Sequence, residues 1–314
     1  MENNKIPYCD LSNFGNSCYF NSSIQFLKPV FDTITLSSNY DQTVFETLSI
    51  YYKNYYNRDQ LFNKYRYICA KINSNGGQQD SDEVILVLLD DIISIKNEYI
   101  KKTFNFDVKY KNLIKCSKCK KFKICNDGND QIEVVLISKY FTQGTDISYD
   151  TVKFSNFLGH VLNKENIDLE FIKTFRKETS CDCNKNCIMM QTVLTDMPKF
   201  LIIYINRCDG INSTKACGKL QIANQFKITT PESLEKRCTN ENFSNKNHIY
   251  NLNGIVIHSG RSIHGGHYYA YSKDVQTNEW YCCNDSSVEK INNFDQNRED
   301  IQSNCSALLY IKNN

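Results

Sequence analysis

The chain has 314 residues, 41% hydrophobic and 12% aromatic, with a formal net charge of +2. That balance gives neither nucleic acid nor a membrane surface an electrostatic footing, and the longest apolar run, residues 84–89, is too short to span a bilayer. Fifteen cysteines without a basic-then-apolar leader behind Met1 predict an intracellular, reducing compartment, where cysteines serve as core residues, metal ligands or nucleophiles. Four prolines and twelve glycines leave little material for linkers, so a single large domain, monomeric, is expected.

In chain order, the first informative stretch is Asn13-Phe14-Gly15-Asn16-Ser17-Cys18-Tyr19-Phe20-Asn21-Ser22. Gly15-Asn16-Ser17 reads as a turn with two capping-type residues. Cys18 then falls in the first turn of a helix that continues through residues 22–27. Unpaired N–H groups and the helix dipole favour the thiolate there, which is the reactive form. Asn13 lies on the turn side, where its amide could point back and stabilise an oxyanion. A buried structural cysteine is the competing reading of Cys18.

A second helix is predicted over residues 44–56, with Phe45, Leu48 and Tyr52 near helical spacing. After the turn signal at residues 73–77, a buried helix is predicted over 84–95, capped by Asp80 or Ser81 with acidic residues in its first turn. From residue 104 the texture changes to short strands, at 104–110, 132–137, 200–205, 254–258, 267–271, 280–283 and 307–311. Helices first and strands later predict an α+β fold.

Three histidines compete as partner for the thiol: His258, His264 and His267. Only His267 heads an alternating strand that is followed, after a polar turn, by a second strand ending at Asn284. A hairpin symmetric about the midpoint of Val275 and Gln276 sets His267 directly opposite Asn284, with Cα atoms about 5 Å apart. Asn284 could then hold one imidazole nitrogen and leave the other for Cys18. A one-residue bulge would put Asp285 in that role instead. Gly265 and Gly266, just before the histidine, would let a thin peptide backbone pass close. A lone Cys at a helix start with a distant His and Asn is the outline of a cysteine-nucleophile enzyme.

Cys116-Ser117-Lys118-Cys119 is a C-x-x-C knuckle suited to half a zinc site. For the other half, Cys181, Cys183 and Cys187 offer three candidates for two places, and a finger held without metal is the alternative. The basic run at residues 109–123 reads as a solvated surface rather than a nucleic-acid site.

Taken together, residues 13–27 resemble the cysteine box of ubiquitin-specific proteases, and residues 259–285 resemble their histidine box. Between them, Gln78-Gln79-Asp80-Ser81-Asp82-Glu83 resembles the family's Gln-Gln-Asp box, and residues 307–311 its last strand. The resemblance covers nearly the whole chain. Ser17, Phe20, Cys208 and Cys283 depart from the usual residues without touching the chemistry.

The resemblance implies a papain-like fold of thumb, fingers and palm, laid out over residues 1–103, 104–190 and 191–314 of one catalytic domain. It implies a thiol-dependent deubiquitinase acting on ubiquitin and ubiquitinated proteins. Cys18 would be the nucleophile, His267 the base and acid, Asn284 the third member, Asn13 the oxyanion donor and Asp285 an auxiliary group. Asp80 and Glu83 would face bound ubiquitin, with Gly265, Gly266 and Tyr268 also on the substrate side. No cofactor is expected for catalysis. A structural zinc on Cys116, Cys119, Cys181 and Cys183, with Cys187 as alternative, is implied for the fingers. Two other readings stay open: the same chemistry on another ubiquitin-like modifier, and a catalytically silent ubiquitin-binding scaffold.

Overall fold

The computed structural model describes residues 8–36, 58–72, 77, 79–93, 106–116, 122–131, 135–136, 151–153, 188–207, 215–216, 218–233, 236, 244–262 and 265–313. Helix α1 spans Cys18–Leu36, α2 Arg58–Lys71 and α3 Ser81–Ile93, and a short α4 at Glu299–Asn304 precedes the last strand. Cys18 is thus the first residue of its helix, and α1 runs well past Leu27, where the expected helix ends. Helix α3 starts at Ser81 with Asp82 and Glu83 in its first turn, close to expectation. Helix α2 was not expected, although Leu61, Tyr65 and Ile68 are its buried face. The helix predicted over residues 44–56 lies outside the described residues. No described helix is long and apolar enough to cross a membrane.

Thirteen strands form three sheets among the described residues. The largest has the order β12-β11-β10-β9-β13-β6-β3, with β8 paired to β9. Its strands are β3 (Val135–Leu136), β6 (Phe200–Asn206), β8 (Gln225–Pro231), β9 (Asn245–Ser262), β10 (Gly265–Lys273), β11 (Trp280–Asn284), β12 (Ser287–Ile291) and β13 (Cys305–Lys312). A separate three-stranded sheet has the order β2-β1-β5, from Phe122–Gln131, Asp107–Cys116 and Ile188–Asp196. Strands β4 (Thr151–Lys153) and β7 (Lys219–Gln221) form a short parallel pair.

The central strands are apolar on both faces because both faces are covered. In β6, Phe200, Ile202 and Tyr204 face the helices, in one core with Phe20, Phe26, Leu27 and Leu309. Their neighbours Leu201, Ile203 and Ile205 face the opposite core, with Ile257, Leu308, Tyr310 and Ile301 of α4. Helix α1 therefore lies directly on the sheet. Gly254 of β9 sits under it, where an added Cβ would stand 3.1 Å from the Phe26 ring. This contact seats the amino end of α1 beside β10 and β11.

The β10–β11 hairpin corrects one expectation. Ala270 pairs with Cys283 and Lys273 with Trp280, so the symmetry point lies between Gln276 and Thr277, one residue beyond the predicted midpoint. Asp274 is the cause. Its backbone N–H donates to the Glu279 carbonyl, while its carboxylate accepts the N–H groups of Gln276 and Thr277 at 2.9 and 2.8 Å. The turn closes around that side chain, with Asn278 in the left-handed region. Continued by one residue, this register puts Asn284 beside Tyr269 rather than directly opposite His267.

Candidate active site

The loop before α1 is folded by its own side chains. The Asn13 Oδ1 accepts the N–H of Gly15 at 2.9 Å and that of Ser17 at 3.3 Å, and Ser17 Oγ accepts the N–H of Phe14 at 2.8 Å. Gly15 has a φ of 109°, which favours glycine because a Cβ would be strained there. The Ser17 carbonyl accepts the Asn21 N–H, so the helix begins on schedule. Cys18 is 5% exposed, with the unpaired N–H groups of the first turn around it.

His267 comes from β10 and its orienting partner from β11. The imidazole Nε2 lies 2.6 Å from Asn284 Oδ1, across the diagonal that the corrected register creates; side chains two residues off direct opposition on one face still meet. An amide oxygen only accepts, so Nε2 carries the proton, and Nδ1 is left to turn toward the thiol. The hydrogen bond with Cys18 is the main reason the imidazole is pushed up to about 9; the Asn284 bond and the Asp285 charge add to it, against burial. The site favours a protonated imidazole beside Cys18.

Activity that requires this protonated imidazole is lost as pH rises through about 9. Replacing Asn284 by alanine removes one of the bonds that favour the cation. The alkaline limb of kcat/KM is therefore expected to move to lower pH, and a pH–rate profile of the two proteins checks it. The limb reports the coupled pair rather than one residue.

Asp285 does not bond the imidazole. It forms the first half of the two-residue turn between Asn284 and Ser287, which pair directly, and its φ of 49° turns its carboxylate toward the α1 side. There Oδ2 accepts Asn13 Nδ2 at 2.7 Å and Oδ1 accepts Asn21 Nδ2 at 2.7 Å. The Leu11 N–H donates to the Asp285 carbonyl at 3.0 Å, tying the segment before the cysteine to the same turn. Asn13 thus uses one amide hydrogen on Asp285. The sequence alone assigns Asn21 no role. Its one signal is a polar, poor helix former directly behind Tyr19 and Phe20 in the first turn of α1.

On the other side of Cys18, Tyr268 is 3% exposed and its hydroxyl donates to Asp80 Oδ1 at 2.7 Å, joining β10 to the start of α3. Asp80, Asp82, Arg207, His258 and Tyr268 line a cavity of about 220 Å³. Burial, then the charge of Asp80, pushes the Asp82 carboxyl up to about 6. Glu83 is exposed and stands outside this lining. His258 is a sheet residue stacked on the Tyr268 ring at 4.3 Å, pushed down to about 4 by burial and the nearby Lys215. Arg207 is structural: its guanidinium donates to the carbonyls of Cys305, Ala216, Gly218 and Gln302.

The two glycines differ. A Cβ on Gly265 would meet nothing, whereas one on Gly266 would overlap the Ser259 carbonyl and stand 2.7 Å from His258 Nε2. Gly266→Ala should destabilise the protein by roughly 1–3 kcal/mol and lower kcat/KM by displacing His267; denaturant melts and steady-state rates check both. Of the expected zinc ligands, Cys116 closes β1, its Cα paired with that of Ile188. Cys119, Cys181, Cys183, Cys187 and the competitor His264 lie outside the described residues.

Comparison with known proteins agrees with this geometry. The sequence profile of the family described as ubiquitin carboxyl-terminal hydrolase matches residues 9–310. Ubiquitin carboxyl-terminal hydrolase 48 of Gallus gallus is 24% identical over 315 residues, covering 91% of this chain and 28% of that protein. Ubiquitin carboxyl-terminal hydrolase 47 of Drosophila melanogaster is 53% identical over 55 residues, 18% of this chain and 3% of that protein. The chain thus spans less than a third of either relative.

Among solved structures, the SAGA Ubp8/Sgf11/Sus1/Sgf73 DUB module bound to ubiquitin aldehyde has a chain similar in fold. Its TM-score is 0.65 at 20% identity, covering 98% of this chain and 70% of that one. The Ubp8-Sgf11-Sgf73-Sus1 SAGA DUB module gives 0.60 at 20% identity, over 98% and 68%. With the profile running from beside the Asn13 loop to the last strand, and the fold shared end to end, this chain belongs to the ubiquitin carboxyl-terminal hydrolase family.

Proposed function

We propose that this chain is a deubiquitinase, a cysteine isopeptidase that hydrolyses the bond after the C-terminal glycine of ubiquitin. One observation carries the reading: a cysteine at a helix start that is the main cause of the raised basicity of His267, whose Nε2 lies 2.6 Å from Asn284 Oδ1. The thiolate of Cys18 attacks the terminal carbonyl carbon of ubiquitin. Asn13 and the N–H groups at the start of α1 receive the oxyanion. The intermediate collapses, His267 protonates the departing lysine amine, and a thioester remains on Cys18. Water then gives a proton to His267 and adds to the thioester, and thiolate leaves as the ubiquitin carboxylate forms.

The elements suit the thumb, fingers and palm of that fold. Helices α1–α3 would be the thumb, the sheet β2-β1-β5 the fingers and the large sheet the palm. The cavity at Asp80 and Tyr268 is lined from the start of α3 and from strands of the large sheet, and supports entry of the tail between thumb and palm. For the fingers we extend the proposal to a structural zinc. The register that sets Cys116 against Ile188, the residue after Cys187, supports a ligand set drawn from Cys116, Cys119 and the later cysteines. It would stabilise the sheet and take no part in the chemistry.

Side-by-side turnover of ubiquitin and of other modifiers with Gly-Gly tails, each conjugated to a lysine peptide, tests the assignment. Preferred cleavage of the ubiquitin conjugate is expected. Preferred cleavage of another conjugate would move the substrate and keep the chemistry; cleavage of none would leave a binding scaffold.

A further inference from the structure

We propose that Asn21 is a positioning residue for the reaction: from the helix that carries Cys18, it fixes Asp285 and the Asn13 segment against each other. The inference rests on the reading of Cys18 as nucleophile and Asn13 as oxyanion donor.

Asn21 is 1% exposed and sits one helical turn after Cys18. Its Nδ2 donates at 2.7 Å to Asp285 Oδ1, and at 3.2 and 3.4 Å to the consecutive carbonyls of Ser12 and Leu11. An amide has two such hydrogens, so the short bond goes to the carboxylate and the two carbonyls share the other. Its Oδ1, by contrast, is buried without a hydrogen-bond partner. The side chain therefore works through its NH2 alone.

The consequence is geometric. The second oxygen of Asp285 receives Asn13 Nδ2 at 2.7 Å, so the carboxylate is spanned by two amides. Asn21 holds one end of that carboxylate and, in the same grip, the backbone immediately before Asn13. Amide bonds to a charged acceptor are the strong kind. Without Asn21 the carboxylate keeps only the Asn13 amide against the pull of the His267 imidazolium. Asn13 would then lose its own anchor. Asn21 touches no reacting atom; it acts through Asp285 and Asn13.

Asn21→Asp tests this most sharply, because it keeps the shape and replaces the donors by a second negative charge. A carboxylate facing Asp285 and two carbonyls is expected to lower kcat by at least about 30-fold while KM changes less than about threefold. Adding Asp285→Asn restores a complementary pair, since the new amide donates to Asp at position 21 and still accepts from Asn13. The double variant should recover at least about tenfold in kcat over the single one. A single variant within about threefold of wild type, or a double variant no faster than the single, would overturn the inference.

If Asn21→Asp does not fold, judged by a thermal melt and ubiquitin binding, a cycle of Asn21→Ala with Asp285→Ala takes its place. A double variant no slower than the slower single supports the link, and fully additive losses overturn it. Should the wild type cleave no modifier, the functional reading fails separately. The contact is then read by NMR: the side-chain amide resonances of Asn21 and Asn13 both move in Asp285→Ala if the clamp exists, and either one staying put refutes it.

Discussion

Replacing Cys18 by alanine is expected to lower turnover of a ubiquitin–lysine conjugate by on the order of 10⁵-fold, as loss of the nucleophile does in hydrolases of this logic. Ubiquitin affinity should stay within about twofold, because the lost atom is a single buried sulfur and the binding surface lies elsewhere. The expected residual rate comes from the oxyanion donors alone. Cys18 is the right residue for so large an effect because its position is over-determined. The Asn13 side-chain Oδ1 folds the preceding turn, Gly15 permits it, and Ser17 starts the helix. Single-turnover rates and a binding isotherm on the same preparation measure the two quantities separately.

Replacing His267 by alanine should cost nearly as much, on the order of 10⁴-fold or more. Without the imidazole the thiol loses the partner that favours its ionised form, and the departing amine loses its acid. The pH profile carries the distinguishing mark. The wild-type rate falls as pH rises through about 9, where the imidazolium is lost. In the variant that limb should vanish, and the residual rate should climb with pH as more of the unassisted thiol ionises. A variant that kept the wild-type profile would place the general acid elsewhere.

The placement of Cys18 and His267 was legible in the sequence because it is encoded locally at two places. A turn followed by a cysteine specifies a helix start, and the alternation of His267, Tyr269 and Tyr271 specifies a strand face. The exact pairing of β10 with β11 was not legible from a midpoint argument. It depends on Asp274 closing the turn with its side chain, a local bond that outweighs the arithmetic of loop length. The outcome for Asn284 survived the slip since the diagonal neighbour on the same face is still within reach.

Strand β9 illustrates a different obstacle. The sequence predicts a strand over residues 254–258, yet the strand extends over Asn245–Ser262. Its first half buries His248, Tyr250 and Leu252 and exposes Ile249, so the inward positions mix polar and apolar residues. His248 can be inward because Thr230 Oγ1 of the adjacent strand lies 2.8 Å from its Nε2. A polar side chain satisfied by a tertiary partner breaks the period that sequence reading follows. The same holds for Asn21 and Asp285, which meet across 264 residues. Helix α2 was missed for a weaker reason: its buried stripe of Leu61, Tyr65 and Ile68 is narrow and surrounded by charge.

The most direct test of the account is the reaction of the reduced, folded protein with ubiquitin bearing a thiol-reactive group at its C-terminus, read by intact mass beside a Cys18→Ala control. One adduct is expected on the wild type, mapping to Cys18 although the chain holds fifteen cysteines, and none on the control. No adduct on the wild type, or an adduct that persists in Cys18→Ala, would contradict it.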